Sequence, residues 1–233
     1  MRNLGTMPAR HELKYFINPA ELMVVRERLR RVMRLDRHCA GGRPYQVRSL
    51  YFDDVDDHAY TDKLAGVQNR DKYRIRIYNG RDDVIYLERK RKLGDLIAKS
   101  SVRITRRLAE QIISADPRGL NRAENPLLKD LYVTMRTTLL RPAVIVDYDR
   151  EAYVYPVETV RVTFDTRLRT ALKSENLFDP EIATVPAQDR DVEILEVKFD
   201  RYLPEHLRCL LAGTEAERSA VSKYVLCRRY EPL

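Results

Sequence analysis

The side chains best suited to chemistry in this sequence are cations spaced two residues apart. In "KYRIRIYNG", Lys72, Arg74 and Arg76 alternate with Tyr73, Ile75 and Ile77. A period of two is that of a β-strand, so the basic residues share one face and the apolar residues the other. The pattern recurs. Glu12 and Lys14 oppose Leu13 and Tyr15, while Tyr86, Glu88 and Lys90 oppose Ile85 and Leu87. Lys99, Ser101 and Arg103 oppose Ala98, Val102 and Ile104. Arg161, Thr163, Asp165 and Arg167 oppose Val160, Val162 and Phe164, and Glu196 and Lys198 oppose Leu195, Val197 and Phe199. Guanidinium groups in such rows suit phosphate oxygens, because a planar fork donates two hydrogen bonds at once.

Composition agrees with an anionic partner. The chain has 233 residues, a net charge of +8 and 33% charged residues, above the ~25% of an average soluble domain. Its 44% apolar fraction supports a real core. Basic and acidic residues are interleaved, which points to a site and not to a basic tail. The cysteines Cys39, Cys209 and Cys227 form no CxxC pair, and none of the histidines His11, His38, His58 and His206 has metal-ligand spacing. No apolar run approaches the ~20 residues of a membrane span, and no secretory leader is visible, so a cytoplasmic protein is expected.

The elements that must carry these residues follow from period and punctuation. Strands are expected over 10–17, 45–54, 70–79, 83–92, 96–104, 141–155, 159–169 and 191–200. Helices are expected over 19–35, capped by Asn18 with Pro19 and Glu21, and over 56–66, 105–115, 125–140, 204–213 and 217–230. Residues 172–190 read as loop. "NGRDD" (79–83) signals a hairpin. "FDDVDDH" (52–58) reads as the acidic start of a helix in preference to a metal site. These elements make an α+β chain of one domain, residues 1–233. Its antiparallel strands close into a barrel whose apolar face lies outward beneath flanking helices and whose charged face lines a wet tunnel. A half-solvated open sheet is the simpler alternative.

Taken in order, "RHELKYFI", "VRSLYFDD", "KYRIRIYN", "LERKRK", "VDYDREAY", "RVTFDT", "LEVKFD" and "SKYVLC" resemble the VTC domain, the polyphosphate polymerase domain of the triphosphate tunnel metalloenzyme superfamily, in its free-standing prokaryotic form. The resemblance implies a tunnel of about eight antiparallel strands. It also implies transfer of the terminal phosphate of ATP to a growing polyphosphate chain with release of ADP, assisted by Mn²⁺ or Mg²⁺. ATP and polyphosphate are then the partners, with no nucleic acid. By the same resemblance Lys14, Arg74, Arg76, Lys90, Arg150, Arg161 and Lys223 are the catalytic cations. Lys99, Tyr148, Lys198 and Ser222 contact phosphate or nucleotide, and Glu196 with Glu12 holds the metal.

Two departures matter. Hydrolases of the superfamily open with Glu-x-Glu-x-Lys, whereas this chain has Arg10-His11-Glu12-Leu13-Lys14, which favours the polymerase branch. A basic residue that often precedes the Ser-Lys pair by two places is Ala220 here. Hydrolysis of triphosphate or a nucleoside triphosphate, and non-catalytic binding of polyphosphate or inositol phosphates, are the alternatives.

Overall fold

In a computed structural model, residues 7–94, 96–171, 174–211 and 219–229 are described. The strands are β1 (Met7–Ile17), β2 (Arg34–Leu35), β3 (Tyr45–Asp53), β4 (Arg70–Tyr78), β5 (Arg81–Leu93), β6 (Leu96–Ile104), β7 (Arg141–Val154), β8 (Arg161–Ala171), β9 (Val185–Pro186) and β10 (Glu193–Phe199). The helices are α1 (Pro19–Arg30), α2 (His58–Leu64), α3 (Arg106–Ile113), α4 (Pro126–Thr138), α5 (Glu205–Leu211) and α6 (Lys223–Arg228). All strands join one antiparallel sheet in the order β2-β7-β3-β4-β5-β6-β1-β10-β8-β9. An added pairing of β7 with β8 closes the inner eight into a ring, so the expected barrel is present.

Closure follows from the alternation of each strand. The apolar faces of β3, β4, β5 and β6 point outward and bury Leu50, Ile75, Ile77, Leu87 and Val102 beneath Ile112 of α3 and Leu131 of α4. The outward faces of β8 and β10 bury Val162, Phe164, Leu195 and Val197 beneath Val25 and Leu29 of α1 and Leu207 of α5. Complete burial of such side chains contributes about 1.5–3 kcal/mol each. The β4–β5 hairpin turns at Asn79 and Gly80, whose φ values are 52° and 65°. Both are left-handed, as a tight two-residue hairpin turn requires.

Three expectations need correction. The first helix ends at Arg30, not near Leu35, because Arg34 and Leu35 pair with Val154 and Tyr153 of β7. Val32 therefore leaves the buried stripe and is 43% exposed, while Leu22, Val25 and Leu29 are buried as read. Residues 172–190 are not all loop, since Val185 and Pro186 add a short strand to β8. The last helix covers only Lys223–Arg228, and residues 219–222 are non-helical. The expected beginning of that helix at 217, like the end of the preceding one at 212–213, lies outside the described residues.

One wall of the lumen is not charged. Val47, Val144, Val146 and Ile194 point inward and pack against Val221, Tyr224, Val225 and Cys227. The C-terminal segment thus lies along the inner surface of β3, β7 and β8 and gives those strands an apolar partner inside the barrel.

Candidate functional site

Cross-strand pairing decides which side chains meet in the lumen, because residues directly opposite share a face. Lys14 faces Glu196 and Glu12 faces Lys198 across β1 and β10. Arg161 faces Lys198 across β8 and β10, while Asp165 faces Arg150 across β8 and β7. Tyr51 faces Arg74 and Ser49 faces Arg76 across β3 and β4. Arg74 faces Glu88 and Lys72 faces Lys90 across β4 and β5, and Lys90 faces Lys99 across β5 and β6. All sequence-predicted site residues on strands therefore occupy the inward parity of the same barrel.

Among the described residues the lumen contains three ionic nodes. In the first, Arg74 donates to Glu88 at 2.7 Å and to the Tyr51 hydroxyl at 2.6 Å. Arg76 lies 3.8 Å from Glu88 and donates to Ser49 Oγ at 3.0 Å and the Tyr148 hydroxyl at 3.3 Å. Lys99 closes on the same carboxylate. Burial pushes the Glu88 carboxyl up, but Arg74, Arg76 and Lys99 outweigh it and hold the group far below the ordinary carboxylate range. In the second node, Glu12 accepts from Lys90 at 2.7 Å and pairs with Lys14 at 2.9 Å. The Lys14 ammonium reaches the Val221 carbonyl at 3.0 Å, tying β1 to the C-terminal segment. Burial lowers the Lys90 ammonium to about 8 despite the neighbouring Glu12. In the third, Arg150 donates two bonds to Asp165 at 2.6 and 2.7 Å and one to Glu196 at 3.3 Å. Lys223 at the start of α6 lies 2.6 Å from Asp165, and Lys198 3.1 Å from Glu196. The Arg150 guanidinium and the Lys223 ammonium both lie over the Tyr148 ring, at 5.2 and 5.0 Å.

This arrangement refines the expectation that Arg74 and Arg76 stand open for phosphate. Each is engaged by a carboxylate, a hydroxyl or both. A buried unpaired charge costs several kcal/mol, so the deep lumen keeps Glu12, Glu88, Asp165 and Glu196 as counter-charges. Arg161 is drawn away from the others: it bonds Asp36 and, at 3.2 Å, the Tyr45 hydroxyl at the barrel rim. Ser222 is the N-cap of α6 without a side-chain capping bond.

The side chains of Glu12 and Glu196 are buried and their carboxyl groups lie against one another. Two adjacent hard carboxylates fit an ion such as Mg²⁺ or Mn²⁺, which takes one or two protein oxygens and completes its shell with water and phosphate. Among the described residues no three histidine, cysteine or acidic side chains converge as a fuller cage. "FDDVDDH" proves to be a helix start: Asp53 accepts from the backbone of Ala59 and Tyr60, and Asp54 from that of His58. His11 points outward and stacks on Phe199.

Several lumen residues were not assigned from sequence. Asp165 anchors Arg150 and Lys223, and Tyr51 orients Arg74. Lys72 lies over the Tyr224 ring at 4.4 Å. The Thr163 hydroxyl is buried and has no hydrogen-bond partner among the described residues. Strand parity alone placed Lys72, Thr163 and Asp165 on this face; it did not distinguish their roles.

Solved structures share the barrel. A candidate adenylyl cyclase from Hippeastrum, whose dominant activity is that of a triphosphatase, aligns with a TM-score of 0.56 at 16% identity, covering 96% of this chain and 97% of its own. A candidate adenylate cyclase from Bacillus halodurans aligns with a TM-score of 0.50 at 14% identity, covering 89% of this chain and 87% of its own. At such identities the likeness concerns the fold. The family assignment comes from the sequence: the VTC domain model matches residues 9–230, and the chain belongs to the VTC domain family.

Proposed function

We propose that residues 1–233 form one VTC-like domain that acts as an ATP-dependent polyphosphate polymerase. The observation that carries this reading is the convergence of Arg74, Arg76 and Lys99 on Glu88, and of Arg150 and Lys223 on Asp165, inside a closed barrel. In phosphoryl transfer the bond between the γ-phosphorus and the bridging oxygen of ADP breaks. A new bond forms from that phosphorus to a terminal oxygen of the acceptor chain. The catalyst must mainly align the two and neutralise charge on the transferring group. Arg74, Arg76, Lys99, Arg150 and Lys223 supply fixed donors for it, and Lys14, Lys90 and Lys198 surround the remaining phosphates. The acceptor is already anionic, so no strong base is required. Glu196 and Glu12 would hold a divalent ion, which supplies additional positive charge at phosphate oxygens.

A second reading, hydrolysis of a triphosphate or nucleoside triphosphate, is favoured by the triphosphatase activity of the Hippeastrum protein that shares the fold. Arg10 in place of the opening acid of the hydrolases supports the polymerase instead. Incubation with ATP and Mn²⁺, followed by electrophoresis, separates the two. ADP with a ladder of long phosphate chains is the expected result. Orthophosphate without polymer selects hydrolysis, and intact ATP under every metal condition overturns both. Tight binding without turnover identifies a non-catalytic phosphate binder. The proposed setting is the cytoplasm; among the described residues no helix is long and apolar enough to cross a membrane.

A further inference from the structure

Outside the barrel, the connection between α3 and α4 borders a cavity that phosphoryl transfer in the lumen does not use. Its volume is about 370 Å³, within the size range of small-molecule sites. Arg118, Gly119 and Arg122 of the connection line one side, and Tyr132 and Arg136 of α4 line the other. Tyr132 and Arg136 are four residues apart and so share a helix face. Asp130 and Thr134 of the same helix turn the other way, to Arg89 of β5 at 2.8 Å and the Tyr73 hydroxyl of β4 at 3.4 Å. The cavity therefore lies on the outer helical layer, with the barrel wall between it and the lumen. The connection is held in place on both sides. Leu120 is buried in the core, and Gln111 of α3 donates to the carbonyls of Asp116 and Arg118 at 3.1 and 2.6 Å.

Three guanidinium groups from two elements thus border one space, and one carboxylate answers them. Asp116 accepts from Arg118 Nε and Nη2 at 2.9 and 2.7 Å. Arg122 and Arg136 make no ion pair among the described residues. Glu124 does not line the cavity, and Asp130 is engaged by Arg89. Like charges gathered at one concavity raise the local concentration of anions. A planar guanidinium fork grips a phosphate through two hydrogen bonds. We propose that this cavity is a second, peripheral binding site, outside the tunnel, for a small phosphate-bearing anion of two or more charges. The site stands independently of the polymerase reading. Inorganic diphosphate and the diphosphate arm of a nucleotide share this chemistry. Tyr132 tells them apart, because its ring offers a stacking face to a base and nothing comparable to bare phosphate.

Calorimetric titration of the full chain with pyrophosphate, and separately with ADP, tests this without turnover. The wild-type protein is expected to show two binding events, one in the tunnel and one in the cavity. Arg122→Gln/Arg136→Gln should weaken one event about a hundredfold, the loss expected for two charge-assisted contacts, and leave the other in place. Both arginines are exposed, so the variant should fold, and circular dichroism checks that it does. Arg31→Gln/Arg190→Gln removes the same charge from exposed positions elsewhere and should change neither event. Absence of any event, survival of every event in the cavity variant, or an equal loss in the control variant overturns the proposal. A single event that the cavity variant removes upholds the peripheral site and counts against phosphate binding in the tunnel, so the two readings fail separately. With the site upheld, Tyr132→Leu weakening ADP but not pyrophosphate identifies a nucleotide as the occupant, and equal affinities in that variant and the wild type identify inorganic diphosphate.

Discussion

Glu88 holds the most consequential single position in the lumen. It is 1% exposed and stands between Arg74, Arg76 and Lys99. Glu88→Gln would leave three cations facing one another, and breaking a buried ion pair from one side costs about 3–5 kcal/mol. Chemical denaturation should register a loss of that size, and added tripolyphosphate should recover part of it by replacing the missing negative charge. Protonation has a related effect. The folded-state pKa of Glu88 lies below its unfolded value, so its stabilisation is present at neutral pH and is lost as pH falls toward the folded value. Glu193 has the opposite sign. Burial, reinforced by Asp149 and Asp165, raises it to about 7 although the Arg167 amide donates to it. Its folded form retains a proton that the unfolded chain releases near pH 4.3. Stability from this group is present below about pH 4.3 and is lost as pH rises through about 7, and Glu193→Gln should remove that decline from a plot of unfolding free energy against pH.

Among the elements, α1 is secured by its ends and its buried stripe. Asn18 accepts from the Glu21 amide at 2.9 Å, and Glu21 accepts in return from the Asn18 amide at 2.8 Å. Asn18→Ala should cost about 1 kcal/mol in thermal unfolding and leave phosphate affinity unaltered, since the cap lies outside the lumen. This cap was legible in the sequence because it depends on residues three apart. So was the inward parity of Lys14, Arg74, Arg76, Lys90 and Glu196, because alternation along one strand needs no knowledge of its neighbours. The short β2 was not legible, because pairing with Tyr153 and Val154 overrides the helical pattern of residues 19–35. The partners of Arg150 and Arg161 were hidden for the same reason. Arg150 meets Asp165 and Glu196, whereas Arg161 meets Asp36, and only the assembled barrel distinguishes the two. The apolar inner wall of Val47, Val144 and Val146 became intelligible once Tyr224 and Val225 were placed against it.

For the whole molecule, the lumen draws side chains from β1, β3, β4, β5, β6, β7, β8 and β10, so a ligand that bridges them ties the barrel together. Tripolyphosphate at a hundred times its dissociation constant should stabilise the native state by about 2.7 kcal/mol. A single sharpened melting transition is the expected signature; two separated transitions would show that the walls respond independently. The β7–β8 pairing has a further geometric result. With the staves joined all the way round, nothing can slip in sideways, and a guest must advance lengthwise from one rim. Phosphates with a loose end are therefore expected to raise the melting temperature, whereas ring-shaped metaphosphates of equal charge, which present no tip to lead with, are expected to leave it unchanged.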